Sequence, residues 1–424
     1  GGVPSTAWDT DWKNFGPRAG FAYKLFRSAN TVLRGGAGIF YGPTVSTIVA
    51  TAAALGFSTD VNLVSSQPGV TSAIRLRDPF PAGTRVPAEQ LGAGFGAVPV
   101  GAATTTSVSF FERSRPMPIS LQYNLNIQHE LRRNLLIETS YLANLSHHLT
   151  ANDVTINQVP FNLLGPGNAQ VRRPFPQFSG VSVINPPLGN STYHAWFVKT
   201  EKRYSAGLTF LAHYTFSKFI DDVASFSEYG DPGSYMDAYN RRLDKSVSGN
   251  DMRHRAVASG VYELPWFRGR GALSWVLGGW KTGVIVSLQS GPPYTVFNQT
   301  NTTNAFSAGT LRPDITGDPN LASGERSLAR WFNTGAFRAP ALYQFGNAPR
   351  SVLRGPATQS IDLSLLKDFL LSERWKAEFR GEFFNLPNHA DFGLPGHTLG
   401  APNFGVINSA RTARTVQLGL RLSF

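Results

Sequence analysis

Along much of this chain apolar and polar residues alternate one by one, the spacing of a strand with one face in an apolar medium and the other in water. The last ten residues show it most plainly: Val416, Leu418, Leu420, Leu422 and Phe424 alternate with Gln417, Gly419, Arg421 and Ser423. About ten residues is also what a tilted strand needs to cross a bilayer core, whereas a water-soluble strand is more often about five or six. One such strand decides nothing, because a strand of a soluble sandwich reads the same way. Recurrence and loop length decide.

The pattern recurs as hairpins. Residues 17–26 and 31–41 pair through Ser28, Ala29 and Asn30, and residues 119–128 return as 135–144 through Arg132, Arg133 and Asn134. Residues 192–204 and 208–218 pair through 205–207, and 255–264 and 276–290 through the connection 265–271. Residues 360–365 precede a companion strand from Trp375 to Phe383 beyond 371–374, and the terminal strand follows. Between hairpins lie stretches rich in Gly, Pro, Asn and Thr; some local structure is expected near 104–111, while Pro160, Pro166, Pro174, Pro176, Pro186 and Pro187 exclude regular strand.

About eleven strands result, and the connections alternate between a few residues and roughly 25 to 75 residues. A soluble sandwich has no reason to gather every long loop at one end, whereas an outer-membrane barrel has short periplasmic turns and long extracellular loops. The polar face supports the same reading. Lys376, Glu378, Arg380 and Glu382 follow one another on it, and Arg421 is on the polar face of the terminal strand; a dry core would not tolerate them. In a hydrated lumen they pair across strands. Only a closed sheet satisfies every backbone group inside hydrocarbon. The expected fold is therefore all-β, an antiparallel transmembrane barrel with Phe424 at the periplasmic end. Eleven is odd where bacterial single-chain barrels are even, so a further strand in residues 1–16 or in a loop, or sequence upstream, is expected.

Composition narrows the partners. Only 16% of the 424 residues are charged, against roughly 25% in an average soluble domain, and no run approaches the about 18 apolar residues of a membrane helix. Cysteine is absent, which fits an exported chain. The net charge of +12 raises nucleic acid or anionic lipid as partners, but the basic residues are scattered through alternating strands. A wet interior and anionic headgroups such as lipopolysaccharide account for them better, and no nucleic-acid partner is expected.

Several segments resemble the barrel of TonB-dependent outer-membrane receptors: residues 14–23, the 34–41 strand, Tyr214-Thr215-Phe216-Ser217-Lys218 followed by Asp221-Asp222, 251–255, 263–265 and 382–389. The branch it is most similar to is the Oar-like type, whose proteins carry an N-terminal carboxypeptidase-regulatory-like domain. The resemblance implies a plugged barrel of about 22 strands, of which residues 1–424 would be the C-terminal half, with plug, signal peptide and TonB box lying elsewhere. It further implies TonB as a partner, assembly by the barrel-assembly machinery through the C-terminal signal Leu420, Leu422 and Phe424, and uptake of a siderophore, saccharide or peptide.

Chemistry-bearing residues point less clearly. His147, His148, His194, His213 and His254 show no spacing that gathers three metal ligands, and residues 92–96 lack the Lys-Ser/Thr of a phosphate loop. No GxSxG elbow is present, so no catalytic residue and no cofactor are expected. Asp221, Asp222, Asp231, Asp237, Asp244 and Asp251 gather in one loop, either as a Ca²⁺ site or as a solvated acidic surface. Tyr229, Tyr235, Tyr239, Trp331, Phe332 and Tyr343 lie in the expected extracellular loops among Asn, Asp and Arg, a mixture suited to stacking on and hydrogen bonding a small ligand. Packing of the loops against each other is the competing role. The expected function is ligand capture and gated passage without catalysis; a structural or adhesive barrel whose loops bind a partner is the alternative.

Overall fold

The computed structural model describes residues 9–26, 30–42, 107–110, 112–132, 134–223, 233–267, 271–306, 309 and 311–424. Tyr229, Asp231, residues 92–96 and the turn residues Ser28, Ala29, Arg133 and 268–270 lie outside the described residues. Among the described residues eleven long strands follow one another: β1 (Arg18–Leu25), β2 (Thr31–Tyr41), β3 (Ile119–Arg132), β4 (Leu135–Leu149), β5 (Gly189–Ser205), β6 (Leu208–Asp221), β7 (His254–Glu263), β8 (Trp280–Gln289), β9 (Thr358–Leu370), β10 (Lys376–Phe384) and β11 (Thr415–Ser423). Each pairs antiparallel with its neighbours in sequence, giving one continuous meander with β1 and β11 at its two edges. A two-residue strand, Ser246–Val247, adds to the end of β6.

Directly paired residues point the same way, so the register carries a face across strands. Phe210, Gly260, Val284, Leu363, Phe383 and Val416 form one row, and Glu201, Leu211, Ser259, Ile285 and Asp362 form a row on the opposite face. The first face is apolar nearly throughout. It carries a row of rings across Tyr141, Trp196, Phe216 and His254 toward one end. Toward the other end stand Trp280 against Phe379, 5.9 Å between ring centres, and Trp375 against Phe424, 5.1 Å. From His254 to Tyr262 is roughly 27 Å along β7, shortened to about 20 Å by a strand tilt near 40°, close to the apolar band of an outer-membrane barrel.

The connections at one end are short. Ala206 and Gly207 both take positive φ, 53° and 79°, the two-residue turn whose twist matches that of its strands. One short connection departs from the sequence reading. Residues 276–279 do not begin β8; Ala272–Leu277 form a helix, α1, and the strand starts at Trp280. The flanking glycines are the reason: Gly271 and Gly279 adopt φ of 124° and 72°, and a Cβ on Gly278 would come within 2.5 Å of the Phe267 carbonyl oxygen.

The connections at the other end are long, and they are not irregular coil. Pro293–Tyr294 pairs with Leu353–Arg354, Phe297–Asn298 runs parallel to Thr398–Leu399, and Asp314–Ile315 pairs with Phe337–Arg338. Ser107–Phe110, within the stretch expected to have local structure, runs parallel to Gly180–Val183, which also holds Val154–Thr155. Tyr294, Val296, Phe332, Ala336, Phe337 and Leu353 are buried together, with Leu394, Leu399 and Phe404 of the following loop packed against them. The dry core therefore sits largely in this loop layer, above a sheet with one largely apolar and one polar face.

Candidate functional site

Three arginines fasten the layer to itself. Arg312, 1% exposed, pairs with Asp244 and donates to the carbonyls of Ala348 (2.9 Å) and Leu243 (2.8 Å). Arg350 pairs with Asp221 at the end of β6, and Arg354 with Asp251 just before β7. Burial raises the Asp244 carboxyl above its ordinary range against the pull of Arg312, and burial brings Arg350 down to about 10, still protonated at neutral pH. The described aspartates of the acidic loop all have protein partners. Asp221, Asp244 and Asp251 are taken by arginines, Asp222 accepts from Asn190, and Asp237 accepts from Gln158 at 2.8 Å. Among the described residues no group of three or more His, Asp or Glu is placed to hold a metal ion. The histidines have other partners: His194 and His254 bond Tyr141 and Tyr214, and His147 bonds Asn190.

Beside the Arg354–Asp251 pair lies a cleft of about 620 Å³, within the range of small-ligand sites. Arg253, Asn320, Arg326, Trp331 and Arg354 line it, above the ends of β7, β8 and β9. The Arg326 guanidinium stands 5.5 Å from the centre of the Trp331 ring, and Trp331 donates its indole N–H to the Arg354 carbonyl at 3.2 Å. Since Arg354 is engaged by Asp251, the cleft presents a surplus of positive charge beside an aromatic face. That combination suits an anionic or π-bearing ligand.

Of the aromatic residues singled out in the sequence, only Trp331 among the described ones lines this cleft. Its neighbour Phe332 is buried in the loop core, 1% exposed, with Phe404 5.1 Å away, and Trp331 packs partly against the same core. Tyr235 is buried in a second small cluster with Ala151 and Val154. Tyr239 is half exposed and donates its hydroxyl to the carbonyls of Ile156 (2.8 Å) and Gln158 (3.0 Å). Tyr343 is partly buried at φ 64°, its amide bonded to Thr302. Asn320, Arg326 and Arg354 carry no sequence signal of their own, because loops with no period bring them together with Arg253 of the 251–255 segment.

The charges named for the polar face share it in the structure. Arg380 reaches Glu378 at 3.3 Å and Glu382 at 4.0 Å, Lys376 reaches Asp368 at 3.1 Å, and Arg421 stands directly opposite Glu378. The same face holds a cavity of about 840 Å³ lined by Glu201, Leu211, Val261, Ile285, Asp362 and Phe384 among others. Leu420, Leu422 and Phe424 are exposed on the apolar face, Phe424 at 92%.

Comparison with known proteins agrees with this architecture. Residues 1–417 match the family model described as outer membrane beta barrel domain. No curated protein matches the sequence. Among solved structures, the outer membrane transporter YddB from Escherichia coli is similar over 97% of this chain and 40% of its own, at 9% identity and a TM-score of 0.46. The FrpB iron transporter from Neisseria meningitidis is similar over 97% and 39%, at 10% identity and 0.41. The ferripyoverdine receptor of the outer membrane of Pseudomonas aeruginosa is similar over 97% and 33%, at 10% identity and 0.43. The chain spans two fifths or less of the length of these structures. With an apolar face ringed by aromatic residues, a charged opposite face, short turns at one end and a loop layer at the other, the chain belongs to the outer membrane beta-barrel domain family and resides in the outer membrane.

Proposed function

We propose that this chain is part of the barrel of a TonB-dependent uptake receptor of the Oar-like branch, whose extracellular loops capture a small ligand for passage through a plugged lumen. The observation that carries the reading is the arginine- and tryptophan-lined cleft within the loop layer, at the mouth end of a charged sheet face. Its charge favours, within the siderophore, saccharide and peptide classes, a ligand bearing carboxylate, catecholate or phosphate groups. Trp331 supplies a stacking face, Tyr229, Tyr239 and Tyr343 are further candidate ligand contacts in the extracellular loops, and Tyr235 and Phe332 hold the layer in shape. The plug, the TonB contact, assembly through Leu420, Leu422 and Phe424, and lipopolysaccharide around the barrel belong to the same proposal. The reading is non-catalytic: binding energy and gating do the work.

Accumulation of labelled ligand by cells carrying the full-length protein tests it. Uptake should stop when a protonophore collapses the proton-motive force, while surface binding persists; uptake that continues unchanged sinks the transporter reading. A second reading, an adhesive barrel, is favoured by one observation, the preformed apolar core of the loop layer. It predicts partner binding that is indifferent to energisation, with no accumulation inside.

A further inference from the structure

The short connection between β7 and β8 is unlike the others: it carries α1 on the apolar face of the sheet. Trp275 of α1 packs at a tilt against Phe369, 5.0 Å between ring centres. Phe369 pairs with Ala377, and Ala377 with Leu422, so this contact lies on the apolar face. Trp280 donates its indole N–H to the Val276 carbonyl at 3.1 Å. A six-residue helix is far below the roughly 12 residues that hold a helix in water, so docking keeps it folded.

Beneath the end of α1 lies a lysine on the wrong face. Lys367 is paired in register with Trp280 on one side and Phe379 on the other, in the middle of the apolar row. An exposed lysine there would cost about 2–4 kcal/mol at the bilayer midplane and less toward the interface. It is instead 3% exposed: its ammonium donates to the Gly278 carbonyl at the end of α1 and lies 4.9 Å from the centre of the Phe369 ring. The carbonyl end of a helix and two aromatic faces are what a cation in a dry setting requires.

The outward side of α1 is apolar in turn. Leu273 is 66% exposed and Trp275 51%, with Val276, Leu277 and the preceding Trp266 also uncovered. This surface continues the lipid-facing side of the sheet at the level of its periplasmic aromatic residues, the depth at which Trp is enriched. We propose that α1 is an in-plane anchor embedded among the phospholipids of the periplasmic leaflet, pinned to the barrel by Lys367. The occupant of its apolar face is lipid, by continuity with the lipid-facing sheet. The proposal rests on the outer-membrane placement and is independent of the transport reading.

The test uses the full-length protein in liposomes of phosphatidylethanolamine and phosphatidylglycerol. Nitroxide labels are placed through Leu273→Cys and Leu277→Cys, with Leu418→Cys as a lipid-facing reference and Gln417→Cys as a reference on the polar face; this chain has no cysteine of its own. Paramagnetic relaxation by oxygen should exceed that by a water-soluble nickel chelate at positions 273 and 277, as at 418. Relaxation dominated by nickel at either position, as at 417, overturns the proposal, and low values for both reagents, meaning a protein partner covers the helix, overturn it as well. In a Lys367→Met background the label at 277 should become more mobile while that at 418 is unchanged. Unaltered mobility at 277 overturns the pinning role.

Discussion

Replacing Arg312 by methionine should open the loop layer without unfolding the sheet. Arg312 and Asp244 are 1% and 2% exposed, so the substitution strands a buried carboxylate and leaves the Ala348 and Leu243 carbonyls without a donor. Breaking a buried pair by removing one partner destabilises by about 3–5 kcal/mol. At about 1.4 kcal/mol per decade, the open population of the layer rises by roughly two to three and a half decades. Proteolysis of a transiently open segment follows that population when reclosing is fast. Protease added to the outside of cells should therefore cleave within residues 290–357 roughly 100-fold faster or more in Arg312→Met, with cuts confined to the loops. The double variant Arg312→Met/Asp244→Leu should recover much of the resistance, since it leaves no unpaired charge. A rate changed by less than about threefold, or a double variant worse than the single, would refute the claim that this pair fastens the layer.

Other substitutions have separate readouts. A Cβ at Gly291 would meet the Gly355 carbonyl oxygen at 1.8 Å, so Gly291→Ala should force the base of the 290–357 loop apart and raise its external cleavage, while Gly317→Ala, with nothing within 4 Å, should not. Arg326→Ala and Trp331→Ala should each weaken ligand binding to cells by roughly two- to twelvefold, given about 0.5–1.5 kcal/mol for a stacking or cation–π contact; undiminished binding in the double variant would remove the cleft as the ligand site. Lysine at Leu418 should lower the stability of the assembled barrel by about 2–4 kcal/mol in denaturant titration, while lysine at adjacent Gln417 should change it by less than about 1 kcal/mol. Equal effects at the two positions would contradict the assignment of faces.

The strands were legible because a two-residue period is imposed by the environment on both sides of a thin sheet, and residues such as Ile361, Leu363 and Leu365 record it directly. Lys367 breaks that record on the same face, and only α1 explains how it is tolerated. Residues 276–279 read as strand because Val276 precedes the apolar run of β8; the glycines on either side of α1 were the overlooked signal. The loop layer was not legible, since its core is assembled from Tyr294, Phe332, Leu353 and Phe404, which follow no common period. The same holds for the arginine–aspartate pairs, whose members stand 68, 103 and 129 residues apart. Phe332 and Tyr235 illustrate the difficulty: composition made them look available, and burial assigns them to packing. Trp331, one residue away, packs partly against that core and still lines the cleft, so adjacent residues of the same loop take different roles.

The central claim is that one face of this sheet meets lipid and the other water. A cysteine scan of residues 415–423 in the full-length protein, in outer membranes and with a membrane-impermeant thiol reagent, tests it most directly. The account predicts alternation, with positions 417, 419, 421 and 423 reactive and 416, 418, 420 and 422 protected. Uniform reactivity along the strand, or the opposite phase, would contradict it.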